Sequence, residues 1–296
     1  MKLLVILGLK GESMYLKIFD KLNRKCHFIR IIGIVVLTGV WVFFFLESGN
    51  YILNSTGLTI LLLFLLISIW SICVEWIFQR IAGRNITEIT KKTTRKCDIK
   101  SAIRIDEALL RKQGPHKDLT ARTFLLINLA SAYLLSGNVL MAKKKLDAVP
   151  AFKKTKDDFL NNVSYHLVLF NYFSQIGEIQ KAKAQLEDVE YLLEKGRFSN
   201  KLKMMYDNEL YYRQMLLKVF EGKGIESEEY FSRIDELSED TLSKVRTQFT
   251  LGEIYYLSGR LSEARRSFEY VVSNGGDTYF VGEAVGYLGR AVDIQK

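Results

Sequence analysis

Apolar and polar positions divide this chain into two kinds of sequence. Residues 28–46, FIRIIGIVVLTGVWVFFFL, and residues 57–78, GLTILLLFLLISIWSICVEWIF, are almost continuously apolar. From residue 98 onward apolar positions instead recur every three to four residues among charged ones. That spacing predicts amphipathic helices, each burying one stripe, through to the C-terminus. Pro150 is the single proline beyond residue 120, so few helices are interrupted. The predicted class is all-α, in a chain of 296 residues that has room for two or three modules.

The two apolar runs have the length a bilayer core requires. The second contains fourteen Leu, Ile, Val or Phe residues, which at the insertion scale contribute about −4 to −8 kcal/mol, more than Glu75 near its end costs. They predict a two-span transmembrane hairpin over 28–78, joined by ESGNYILNST. Lys and Arg flank both runs and are missing from the connecting loop, which places the N- and C-termini in the cytoplasm of an integral membrane protein. Low proline with abundant Lys, Ile, Leu and Phe is compatible with an AT-rich bacterium and its cytoplasmic membrane. The start, MKLLVILGLKGES, lacks a small-residue cleavage site and reads as an extension, with Met14 an alternative start.

The remaining organisation follows from charge. The chain carries +9, and the excess lies in residues 1–30, at +5, and 79–120, at +6, whereas residues 121–296 sum to zero. Such a distribution points to topology and attraction to anionic lipid at the flanks of the hairpin, and excludes nucleic acid as the expected partner. The expected domains are a basic segment at 1–27, the hairpin at 28–78, a basic linker with a capping helix at 79–120, and a repeat domain at 121–296.

Repetition is visible within the last of these. LASAYLLSGNVLMAKKKL (129–146), LFNYFSQIGEIQKAKAQL (169–186) and LGEIYYLSGRLSEARRSF (251–268) each place a Gly five residues before an Ala, at Gly137 and Ala142, Gly177 and Ala182, Gly259 and Ala264. A large residue follows at Leu146, Leu186 and Phe268, and an aromatic precedes each glycine by four, at Tyr133, Phe173 and Tyr255. A small residue stands one turn earlier at Ala130 and Gly252, but Phe170 departs. A further unit is expected around Gly222, with Ser227 in place of alanine, and single helices are expected to cap the stack at 98–112 and 278–292. The glycines are 40, 45 and 37 residues apart.

This pattern resembles the tetratricopeptide repeat. The resemblance implies a right-handed solenoid of helix pairs whose first helices line a concave groove for a peptide or protein partner. Residue by residue it places Ile127, Ser131, Leu134, Leu167, Asn171, Ser174, Tyr212, Leu216, Arg246, Phe249, Glu253 and Tyr256 on that surface. Asn171, Tyr212, Arg246, Phe249, Glu253 and Tyr256 are the candidate contacts. Family members that clamp a C-terminal carboxylate use Lys and Asn where this chain has Ile127 and Ser131, so the resemblance does not extend to that clamp.

Chemistry-bearing motifs do not add to the picture. There is no phosphate loop, HExxH, CxxC or GxSxG, and His27, His116, His166, Cys26, Cys73 and Cys97 are scattered. No catalytic, metal or cofactor residue is expected. Two functions fit: a membrane-tethered interaction scaffold, or an accessory subunit that assembles with a membrane enzyme or transporter through its hairpin and Glu75.

Overall fold

The computed structural model describes residues 29, 31–36, 38, 67–70, 72–74, 94–113, 119–152, 156–196 and 199–293. All the regular structure among them is helical. Two compact units are formed, one of residues 9–88 and one of residues 89–296 together with 1–8.

In the first unit, the described residues 31–36, 67–70 and 72–74 are helical and belong to the two apolar runs. Gly33 is buried, and a Cβ on it would fall 1.8 Å from Trp70 Nε1, so the missing side chain is where the two runs meet. Among the described residues no helix is long and apolar enough to cross a membrane. The longest helix among the described residues, 200–220, is long enough but carries Lys, Asp, Glu and Arg along its length. The expectation of an integral membrane protein of the bacterial cytoplasmic membrane with both termini cytoplasmic is therefore corrected. The loop between the runs, Glu75 and residues 1–28 lie outside the described residues.

The second unit is built of α1 (Ile99–Gln113), α2 (Leu119–Leu135), α3 (Val139–Asp147), α4 (Lys156–Gln175), α5 (Ile179–Lys195), α6 (Asn200–Phe220), α7 (Glu228–Leu237), α8 (Thr241–Leu257), α9 (Leu261–Asn274) and α10 (Tyr279–Asp293). A 3-10 turn, Gly224–Ser227, leads into α7.

Four helix pairs, α2–α3, α4–α5, α6–α7 and α8–α9, have the same turn after their first helix. Gly137, Gly177, Gly222 and Gly259 have φ of 78°, 77°, 78° and 77°, a left-handed conformation that costs a residue with a Cβ. At each, two amides turn back to the carbonyls that the first helix leaves unpaired. At Gly259 they are Gly259 N–H to Tyr256 O at 3.1 Å and Arg260 N–H to Tyr255 O at 2.8 Å, and the other three turns repeat both bonds.

The fixed turn explains the fixed spacing. Five residues on, Ala142, Ala182 and Ala264 are at most 1% exposed, and the large residues Leu146, Leu186 and Phe268 at most 4%. Gly252 packs directly on Phe268, whose ring would lie 2.6 Å from an added Cβ. The pair at Gly222 departs from the pattern yet fills the same positions. Ser227 replaces the alanine, is fully buried and donates its hydroxyl to Met215 O at 3.1 Å, and Phe231 occupies the large position at 0% exposure.

The cores are staggered across the pairs. One joins Val163, Leu167 and Phe170 of α4 to Leu186 and Val189 of α5 and to Tyr206 and Leu210 of α6. A second joins α2, α3 and Val168 of α4, and a third joins α6, Phe231 of α7 and Leu251 and Ile254 of α8. Each first helix thus belongs to its own pair and to the preceding one. The outer helices α1 and α10 cover α2 and α9 respectively.

The ends of this unit also meet. Asp277, between α9 and α10, accepts the N–H groups of Ile99 at 2.6 Å and Lys100 at 2.9 Å, so its carboxylate caps the start of α1 from a position 178 residues away. Gly276, with φ of 58°, lies so close to residue 97 that a Cβ would stand 2.7 Å from Cys97 O. Cys97 itself is fully buried, and α10 contacts α2.

The two kinds of glycine predict different costs. Gly259→Ala, with open space around it, is expected to lose about 1–2 kcal/mol from the backbone alone. Gly252→Ala is expected to lose about 1–3 kcal/mol from the collision with Phe268. Urea unfolding of the single and double variants with Phe268→Leu checks this, since the second substitution should restore part of the loss at 252 and none at 259.

Candidate functional site

A cavity of about 420 Å³ lies between α6, α7 and α8. It lies where α7, ten residues against twenty-one in α6, ends at Leu237 and the chain turns into α8. Asn208, Glu209 and Tyr212 line it from α6, Tyr230, Ile234 and Leu237 from α7, and Asp240, Ser243, Arg246 and Thr247 from the start of α8 and its cap. Ser238 and Glu239 complete the rim.

Each charged group here has a defined setting. The Arg246 guanidinium lies over the Tyr212 ring, 5.3 Å from its centre. Tyr212 and then Glu209, Tyr279 and Asp240 favour its charged form against the cost of burial. Burial opposes ionisation of Glu209, but Arg213 and then Arg246 outweigh it and hold the carboxyl below its ordinary range. Glu209 accepts a 2.6 Å bond from the buried Arg213, although half of its own side chain reaches solvent. Asp240 caps α8, accepting Ser243 N–H at 2.8 Å and Ser243 Oγ at 2.8 Å. Burial, with Tyr212 and Glu209 beside it, pushes the Tyr230 hydroxyl up to about 12, and its ring meets that of Tyr211 edge-on at 5.1 Å.

The six candidate contacts read from the sequence are not all at this cavity. Tyr212 and Arg246 line it together. Asn171 is half-buried on α4, away from the lining. Phe249 is 6% exposed within a cluster of Phe268, Tyr279, Phe280 and Tyr287. Glu253 accepts a hydrogen bond from Tyr287 Oη at 3.2 Å, and Tyr256 meets the same ring at 5.0 Å. Helix α10 therefore covers the last part of α8. At the other end Ile127 and Leu134 are buried in the core that Ile103 and Leu110 of α1 complete, and Leu167 is buried between α4, α5 and α6.

Two carboxyls are set apart by burial, and one of them, Asp106, was not singled out by the sequence. Asp106 of α1 is 3% exposed, and burial raises it to about 7. Burial raises Glu253 to about 7 as well, with Glu283 adding to the effect and the Tyr287 bond opposing it. Only their depth in the helix packing distinguishes them, and spacing along α1 and α8 does not reveal that. Among the described residues no group of three or more His, Cys, Asp or Glu is placed to hold a metal. No family model, curated protein or solved structure matches the chain.

The raised carboxyls have a pH consequence. A folded-state value of about 7 against an ordinary 4.5 for Glu253 means that the folded state holds a proton which the unfolded chain has released across that window. Stability from this group is fully present below the ordinary value and is lost as pH rises through about 7. Thermal unfolding from pH 5 to pH 8 is expected to show Glu253→Gln gaining on the wild type as pH rises. A constant difference between the two would contradict the assignment.

Proposed function

We propose that residues 119–293 form a tetratricopeptide-like repeat domain that acts as a protein–protein interaction scaffold, holding a segment of a partner protein in the cavity between α6, α7 and α8. The recurring glycine turn, the small and large residues at constant offsets from it and the staggered cores support the repeat reading. The observation that carries the functional reading is the cavity itself. It opens between the first helices of successive pairs, where the resemblance puts partner contacts, and its lining mixes Tyr, Ile and Leu with charged groups. Such a mixture suits a peptide better than a small metabolite, because apolar stems and polar heads of successive side chains need both kinds of wall. No catalytic role is proposed.

A photoreactive amino acid at Asn208, on the cavity wall, tests this. In living cells it should give a discrete crosslinked species that disappears when Tyr212→Ala removes the central aromatic wall and persists when exposed Lys203 is changed to Ala. Absence of any crosslink at Asn208, or equal loss with both substitutions, would contradict the reading.

A further inference from the structure

The cavity has a sign. Glu209, Glu239 and Asp240 line it against a single guanidinium, that of Arg246. The Arg246 guanidinium is held over the Tyr212 ring at 5.3 Å, and Glu209 itself is paired with Arg213 at 2.6 Å. Clefts lined by one sign concentrate the field and select partners of the opposite sign. Between the carboxylates lie aliphatic and aromatic surfaces. Leu237 is 68% exposed at the rim, with Ile234 and the Tyr230 ring further in. An apolar wall ending in carboxylates matches a side chain with an apolar stem and a cationic head.

We infer that the α6–α7–α8 cavity receives a lysine or arginine side chain of the partner segment, its stem against Ile234, Leu237 and Tyr230 and its head between Glu209 and Glu239. This rests on the scaffold reading above and specifies its partner as a basic segment. An acidic segment fits less well, since the three carboxylates of the lining outnumber Arg246 and the Arg213 that pairs with Glu209. Arg246 already holds the Tyr212 face, so the incoming cation is left the Tyr230 side of the cavity.

Two small probes separate the signs. The full chain with isotope-labelled tyrosine rings is titrated with n-butylguanidinium and, separately, with butyrate, following the Tyr212 and Tyr230 signals by NMR. Saturable shifts are expected with the guanidinium and not with butyrate. Removing one unit charge from the cavity wall changes affinity by roughly threefold at separations of several ångströms in a largely hydrated site. Exposed Glu239→Gln should weaken guanidinium binding by that factor, and Arg246→Gln should strengthen it. Binding of butyrate in preference, loss of guanidinium binding in Arg246→Gln, or no binding of either probe would overturn the inference. A crosslink from Asn208 that persists alongside any of those results would leave the scaffold reading standing, so the two failures are distinguishable.

Discussion

No helix pair of residues 119–274 can bury its apolar surface alone. The α4–α5 pair makes the point. Val163, Phe170, Leu186 and Val189 are sealed only when Tyr206 and Leu210 of the next helix close over them. Burying each such side chain contributes about 1.5–3 kcal/mol, so the hydrophobic term is spread over junctions between pairs rather than held within them. The uniform left-handed glycine turn makes this possible, because it reverses the chain with the same two hydrogen bonds in every pair and leaves the following first helix to complete the core.

An array of this kind exposes an unfinished face at each end. Here α1 covers one and α10 the other, and the Asp277 carboxylate joins them by taking the first free amides of α1. Closure has a functional consequence. The surface formed by the first helices is occupied by α1 near α2 and by Tyr287 of α10 over Glu253 and Tyr256. The cavity lies in the middle, between the end of the short α7 and the start of α8, where the charges gather.

Much of the helical fold was legible in the residues, and the reasons are specific. The offset from Gly259 to Ala264 to Phe268 is imposed by turn geometry, so it survives in sequence wherever the turn does. The pair at Gly222 was harder to read because Met215, Lys218 and Ser227 stand at three of its marker positions, and only the Ser227 bond to the Met215 carbonyl shows how a hydroxyl is accommodated there. The junction of Asp277 with Ile99 carries no local signal, since its partners are 178 residues apart. The acidity of the cavity was likewise hidden, being assembled from α6 and from the segment leading into α8. Run length alone suggested membrane spans, and the described helices do not provide one.

The shared core is most directly tested by hydrogen exchange of the full chain carrying Leu210→Ala. Leu210 lies on α6 and is 8% exposed within the core it shares with α4 and α5. The account predicts that amides of α4 and α5 exchange faster along with those of α6, because the loosened junction belongs to both pairs. Acceleration confined to α6, with α4 and α5 exchanging as in the wild type, would contradict it.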